Sequence, residues 1–133
     1  MNSSKMIMAG VTALALALFG AASLRAQQGG FRFFGPLARV LTPNGDGIND
    51  RLLVCYDNFS DSGVSGRIYT VLGAEVASLT HVRSVLPGCA PGILTQHAVW
   101  DGTANGVRVR SGLYVYRIEA EGKTHAGTFL VVR

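Results

Sequence analysis

The stretch LYVYRIEA, residues 113–120, decides the fold, together with EGK (121–123) and THAGTFLVV (124–132) after it. Residues 113–120 are rich in aromatic and β-branched side chains, and their alternating pattern is that of a strand. The EGK segment has the glycine and polar residues of a hairpin turn. Residues 113–132 therefore predict an antiparallel β-hairpin.

Further short apolar or alternating runs precede this hairpin and are separated by turn residues. They are 37–41, 51–56, 67–71, 75–79 and 97–100. About seven short strands at roughly ten-residue spacing, with no helical period after residue 26, predict an all-β fold, an Ig-like or fibronectin-like β-sandwich. The 17 glycines fit the tight turns of such a fold. Residues 81–95, with two prolines, are expected to form a long loop or an irregular edge.

Residues 1–26 are predicted to be a secretory signal peptide. Lys5 precedes an uncharged run, Met6–Phe19, and small residues lead to Ala26 as the last residue before cleavage. The run has about 14 residues, fewer than the roughly 20 of a membrane-spanning helix. An uncleaved anchor is the alternative. We expect the protein to leave the cytoplasm.

The charge balance excludes one class of partner. The formal net charge of +4 falls to about +2 without Lys5 and Arg25 of the export segment. A dedicated nucleic-acid binder carries a larger basic excess, so we expect no nucleic-acid partner. About 107 residues follow residue 26, enough for one modest core but too few for a two-lobed enzyme. Residues 27–36 are expected to be a flexible arm, and 37–133 a single sandwich domain.

Cys55 and Cys89 are predicted to form one structural disulfide. An exported protein reaches an oxidising compartment, where the two thiols can pair. Closing a loop of about 34 residues stabilises a chain by about 3–4 kcal/mol in the chain-entropy account. A single pair without CxxC spacing is neither a thioredoxin-type site nor a zinc site.

Four segments are distinctive in their order. They are LTPNGDGIND (41–50), RIYTVLGAEV (67–76), VWDGTANG (99–106) and SGLYVYRI (111–118), and GTFLVVR (127–133) follows them. Together they resemble the gliding-motility-associated C-terminal domain, the type B sorting domain of type IX secretion. They are also similar to the Ig-like domain of the flagellar hook-cap scaffold protein. The resemblance covers about residues 37–133 and implies an Ig-like sandwich, export to the cell surface or medium, and no catalytic activity.

The resemblance also implies a partner, the outer-membrane export or surface-attachment machinery. The residues expected to matter for recognition are Gly127, Thr128, Phe129, Leu130, Val131, Val132 and Arg133 in the last segment, with the motif turns Asn44, Asp46, Asn49, Asp50, Trp100, Asp101 and Gly102. Sorting domains of this family follow a much larger cargo, whereas only 27–36 separate the predicted signal peptide from the domain here. Either the domain is itself the exported product, or it no longer sorts and resides in the periplasm.

The motif turns also have a direct physical interpretation. Pro43 and the glycines after it favour a tight turn before the strand near Arg51. Trp100 is expected to anchor the core at a strand end. Asp101 can accept backbone N–H groups of the following turn, where Gly102 supplies a positive φ.

Calcium is the ligand considered for the first turn. Asn44, Asp46, the Ile48 carbonyl and Asp50 alternate like places 3, 5, 7 and 9 of a calcium loop. The first acidic ligand and the bidentate glutamate of such a loop are missing, so any binding would be weak and extracellular. The alternative is a turn whose Asn and Asp side chains cap their own backbone. No other cofactor is expected.

Catalytic patterns are weak. Asp61-Ser62-Gly63 has the tripeptide of aspartic proteases but falls in a polar loop. His81, His97 and His125 are too dispersed for a local zinc motif. We expect neither an enzyme nor a small-molecule substrate.

Two non-catalytic alternatives remain. One is a small structural subunit of a surface appendage that self-assembles by inserting the arm Phe31–Phe34 into a neighbour. The other is an extracellular calcium- or glycan-binding module. Arg108, Arg110 and Arg117 with Tyr114 and Tyr116 could form a docking patch for a partner or an acidic glycan. The favoured alternative is that the same residues form a solvated strand face.

Overall fold

The structure is a computed structural model that describes residues 30–89, 92 and 94–133. The predicted signal peptide and residues 27–29 of the predicted arm lie outside this range. Within it, the chain forms strands, turns and loops, and no segment is a helix that could cross a membrane.

Eleven strands occur in the described residues. They are β1 (Phe31–Pro36), β2 (Val40–Leu41), β3 (Leu52–Asn58), β4 (Val64–Thr70), β5 (Glu75–Ser78), β6 (Thr80–Val82), β7 (Thr95–Trp100), β8 (Thr103–Ala104), β9 (Val107–Arg108), β10 (Gly112–Ala120) and β11 (Lys123–Val131). Each of the seven predicted strands has a counterpart among them. The four additional strands, β1, β6, β8 and β9, are short or lie at a sheet edge.

The strands form two larger sheets and one small ribbon. The four-stranded sheet has the order β1-β3-β7-β6, the five-stranded sheet has the order β2-β11-β10-β4-β5, and β8 pairs with β9. The first order corresponds to the A-B-E-D sheet of an immunoglobulin sandwich, and the second contains its C, F and G strands. The predicted all-β sandwich is thereby confirmed.

The segment expected to be a flexible arm is largely a strand. Residues 31–36 form β1, which pairs antiparallel with β3 at the edge of the four-stranded sheet. A register shift between Phe33 and Gly35 accommodates the Gly35-Pro36 pair, because a bulged edge strand tolerates a proline. Phe31 and Phe33 pack against the core. Arm insertion into a neighbour would therefore require these residues to leave their pairing with β3.

The core between the sheets combines aromatic and aliphatic side chains. Tyr56, Phe129, Ile68 and Ile118 are almost completely buried, and the Trp100 ring meets Phe129 edge-on at 5.7 Å between centroids. The indole Nε1 of Trp100 donates to the Thr103 carbonyl oxygen at 2.9 Å. Trp100 therefore anchors the end of β7, as expected.

The two tyrosines of β10 face this core, not a docking patch. Tyr114 and Tyr116 are buried, and the Tyr114 hydroxyl donates to the Arg110 carbonyl oxygen at 2.7 Å. Such a bond from the start of this strand to the preceding corner is typical of immunoglobulin sandwiches. Arg117 lies on the opposite face, paired with Glu119 at 2.7 Å. The arginines and tyrosines thus share no common surface.

The predicted disulfide is present. It joins Cys55 in β3 to Cys89 in the loop between β6 and β7, with 5.6 Å between the Cα atoms. The same loop donates the Leu94 backbone N–H to the Asp57 carboxylate at 2.6 Å. The loop predicted over 81–95 is thus held on the four-stranded sheet by a covalent bond and by hydrogen bonds.

Candidate recognition surface at one end of the sandwich

Strand register brings the distinctive segments to one end of the molecule. Val131 in β11 pairs with Leu41 in β2 and with Gly112 in β10, and Leu52 in β3 pairs with Trp100 in β7. The segments that continue from these strand ends are 42–51, 101–111 and 132–133. We call this the C-terminal end. The N-terminal described residue, Gly30, lies at the opposite end, beside Glu121 of the β10–β11 turn.

The first turn of the C-terminal end is organised by Asp50. Its carboxylate accepts backbone N–H groups from Asn44 at 3.1 Å, Gly45 at 2.9 Å and Gly47 at 2.7 Å. The hydrogen bonds from Gly45 and Gly47 hold the pKa of Asp50 below its usual value. Gly45 and Gly47 have φ of 80° and 85°, which an L side chain rarely adopts.

The other oxygens proposed as calcium ligands are also hydrogen-bond acceptors within the turn. Asn44 Oδ1 accepts the Asp46 N–H at 3.0 Å, and Asp46 Oδ1 accepts the Ile48 N–H at 2.9 Å. Among the described residues, no group of three acidic, histidine or cysteine side chains is arranged to hold a metal ion. The geometry therefore favours the interpretation that these side chains cap their own backbone.

The second turn packs directly on the first. Asp101 Oδ1 accepts the Thr103 hydroxyl at 2.7 Å and its backbone N–H at 3.0 Å, and these bonds lower the pKa of Asp101. Gly102 has φ of 81°, and a Cβ there would lie 3.6 Å from Pro43. The Gly102 carbonyl oxygen accepts the Val109 N–H at 3.0 Å. The two motif turns thus lie against each other.

The last segment of the chain divides into buried and exposed residues. Phe129 and Val131 are in the core, and the Tyr116 hydroxyl fills the space beside Gly127. The side chains of Thr128, Leu130, Val132 and Arg133 are exposed. The Arg133 backbone N–H donates to Ser111 Oγ at 2.9 Å and so fixes the last residue. Only these four of the seven predicted recognition residues present a side chain to a partner.

Apolar side chains beside these residues form an exposed row across three strands. Leu130 pairs with Val40 on one side and with Leu113 on the other, and the three are 40–48% exposed. Further exposed apolar side chains at this end are Ile48, Val71, Leu72, Val107 and Val132. Exposed apolar groups gathered in one region are typical of a protein interaction site.

Arginines are the second feature of this end of the sandwich. Arg51, Arg108, Arg110 and Arg133 are exposed at the C-terminal end. Arg108 contributes to the lowered pKa of Asp50, and Arg51 to that of Asp101, after the hydrogen bonds named above. Protein interfaces are enriched in arginine and depleted in lysine.

The residues considered for catalysis have structural partners. Asp61 accepts hydrogen bonds from Arg83 Nε at 2.9 Å and from Gln96 Nε2 at 3.3 Å, and chiefly the Arg83 bond lowers its pKa. The three histidine rings contact different groups. His81 Nδ1 is bonded to the Tyr56 hydroxyl, His97 Nδ1 lies 3.0 Å from the Ser84 carbonyl oxygen, and His125 stacks on Phe33.

The sequence reasoning missed Val40 and Leu113 as surface residues. Alternation along 113–120 separated the Leu113 face from the tyrosine face but did not show which of the two is buried. The sequence did contain evidence for which face is buried. Tyr114, Tyr116 and Ile118 have a larger apolar volume than the residues of the Leu113 face, which favours burial of the tyrosine face.

The structure defines an Ig-like β-sandwich domain whose distinctive segments meet at one end. The family model CHU_C Type IX secretion signal domain matches residues 36–132, so the chain belongs to this family. The match confirms the resemblance drawn from the four segments. No curated protein and no solved structure shows significant similarity to the chain. Membership in the family implies export to the cell surface or extracellular space and interaction with the secretion machinery.

Proposed function

We propose that the chain is a non-enzymatic module whose C-terminal end is bound by outer-membrane export or surface-attachment machinery. The observation that carries this proposal is the meeting of the C-terminus with both motif turns at one end. That end also holds the apolar row Val40–Leu130–Leu113 and four exposed arginines. Exposed apolar side chains and arginines gathered in one region suit a protein partner.

The hydrogen bonds of three aspartates support a non-catalytic role in this proposal. Asp50 and Asp101 cap turns, and Asp61 is held by Arg83 and Gln96. A catalytic acid or base needs a free position within reach of a substrate proton. These carboxylates instead stabilise the backbone and loops that shape the surface.

The location proposed for the exported domain is the cell surface or the medium. The exposed turn Asn44–Asp50 and the last residues face away from Gly30, where the chain enters the domain. An approaching partner can therefore reach the C-terminal end without displacing whatever precedes Gly30.

A triple substitution tests the recognition surface without removing core residues. Deleting 127–133 would take Phe129 and Val131 out of the core, so a failure of export would follow from unfolding. Leu130→Ser, Val132→Ser and Arg133→Ala together change only exposed side chains and keep the backbone bonds of β11. Val85→Ser, at an exposed apolar residue in the β6–β7 loop, is the matched control.

The readout is protease accessibility of the protein on intact cells of the native host, with thermal unfolding of each purified variant as a check of folding. We expect the triple variant to fold but to remain in the periplasm. Protease added to intact cells should therefore not reach it. The Val85→Ser control should be exposed like the wild type. Surface exposure of the triple variant at the wild-type level would contradict the proposal.

A further inference from the structure

Strand β11 has an open backbone edge. On one side it pairs with β10 along its whole length, and on the other β2 pairs with Leu130 and Val131 alone. The N–H groups of Leu130 and Val132 point to that second side and donate to Arg39 and Leu41. Because N–H directions alternate along a strand, those of 124, 126 and 128 point the same way. No strand in the described part of the chain pairs with them.

The other sheet edges carry protective features. β1 has a register shift, a proline and Arg32, while β5 has four residues and includes the charged Glu75. β6 has three residues. Short strands, bulges, prolines and charges are the usual protection against unwanted strand pairing. In β11 the charged Lys123 stands at the first position, and residues 124–129 include no Lys, Arg, Asp, Glu or proline and no bulge, so this stretch is the longest unprotected edge among the described strands.

The open edge is complementary to itself. If two copies pair antiparallel around Ala126, Thr124 lies opposite Thr128 of the second copy, and cross-strand threonine pairs are favourable. His125 then lies opposite Gly127 of the second copy, which has no side chain to crowd the ring. In this register every outward N–H at 124, 126 and 128 faces a carbonyl oxygen of the other copy.

The length of the edge fits the same register. β2 covers Leu130 and Val131 at one limit, and the hairpin turn begins after Ala120 at the other. Pairing around Ala126 places Lys123, the first residue of β11, opposite residue 129 of the other copy, one residue short of Leu130, where β2 pairs. The turn of each copy therefore ends where β2 of the other copy begins, and the open stretch is paired in full.

We propose that the chain forms a two-fold symmetric dimer in which residues 124–128 of β11 pair with the same residues of a second copy. The two five-stranded sheets become one continuous sheet, and the backbone groups exposed in the monomer are satisfied. Dimer formation through this edge is independent of the proposed export role. A closed, isologous contact of this kind stops at two copies.

Charge substitution distinguishes this edge from any other contact. Within one chain, the carboxylate of Ala126→Glu lies across from Arg117. In the dimer, it lies directly opposite the same carboxylate of the second copy. Like charges directly opposite destabilise strand pairing. Ser78→Glu is the matched control, because residue 78 in β5 lies across from Arg67 at the far edge of the same sheet.

The measurement is sedimentation equilibrium of the oxidised chain from micromolar to millimolar concentration. Small interfaces give weak, transient association, so we expect dimers in the upper part of this range. Ala126→Glu should weaken dimerisation by about tenfold or more, and Ser78→Glu should leave it unchanged. A wild type that stays monomeric throughout, or an Ala126→Glu dimer as strong as the control, overturns the proposal.

A cysteine cross-link tests the register itself. Residue 126 and its symmetry mate form a hydrogen-bonded pair, with about 5.5 Å between Cα atoms. That separation lies within the roughly 4.4–6.8 Å that a disulfide spans. Ala126→Cys should give a covalent dimer on mild oxidation, and mass spectrometry should place the new bond at 126. Ser78→Cys should cross-link far more slowly, and equal rates for the two variants overturn the proposed register.

Discussion

The ring of Tyr116 in β10 lies over Gly127, its cross-strand partner in β11, in the space where any other residue would place its Cβ. Tyr116 is buried with Phe129 and Ile118, so its ring has no free direction in which to move. The glycine at the start of the last family segment therefore serves the core.

Substituting Gly127 should destabilise the fold. Gly127→Ala forces the Tyr116 ring out of its position, and overpacking of this kind costs about 1–3 kcal/mol. Gly63→Ala is the control, since a Cβ at Gly63 meets nothing within 4 Å and its φ is not positive. Urea unfolding of both variants measures the difference. Equal free energies of unfolding for the two variants would show that the core accommodates the added methyl group, contrary to this prediction.

Asp50 should make the stability depend on acid pH. Its folded-state pKa lies below the ordinary 3.8, so the ionised form stabilises the fold above pH 3.8 and the stabilisation disappears as pH falls further. Asp50→Asn should lower the unfolding midpoint at pH 6 and flatten its decline toward pH 3. Asp46→Asn, which keeps the single bond to the Ile48 N–H, should change the midpoint less. The reverse order of the two variants would rule out Asp50 as the organiser of the turn.

Calcium should have little effect on stability. The oxygens of Asn44, Asp46 and Asp50 already accept backbone N–H groups, so a cation must displace those bonds to bind. A ligand that binds only the folded state raises the unfolding temperature through mass action. We expect no rise at millimolar calcium. A saturable rise that is lost in Asp50→Asn would establish a calcium site.

Protonation of His81 should lower the free energy of unfolding at mildly acidic pH. Burial, and then the positive charge of Arg83, depress the folded-state pKa of His81 below 6.5, so protonation is easier in the unfolded chain. The stability is therefore complete above pH 6.5 and is lost as pH falls through and below that value. His81→Asn should remove this part of the pH dependence. Urea unfolding at pH 7.5 and pH 5.5 gives the comparison, and an unchanged dependence would assign it to other groups.

Reduction of Cys55–Cys89 should cost about 3–4 kcal/mol, the loop-closure value for a separation of this order. The loss should appear both with reductant and in Cys55→Ala/Cys89→Ala, measured by urea unfolding. The loop would keep only its hydrogen bonds, such as that from Leu94 to Asp57. A loss below about 1 kcal/mol would mean that these bonds alone hold the loop in place.

The local alternation in 113–120 was sufficient to predict β10, and the EGK turn was sufficient to predict the hairpin, because both depend on neighbouring residues. β1 was missed because Gly35-Pro36 normally ends a strand, and only its place at a sheet edge makes the bulge acceptable. The meeting of residues 42–51 with 101–111 and the C-terminus depends on register between distant strands, which no local pattern reveals. The open edge of β11 exists because β2 pairs with only Leu130 and Val131, and no local pattern reveals the extent of that pairing.

The most direct test of the export role is fractionation of the native host, with the intact mass of this protein measured in each fraction. The account predicts that the folded domain, including Arg133, is found at the cell surface or in the medium. The same intact domain found only in the periplasm would contradict it, because the C-terminal end would then be complete and yet unused for export.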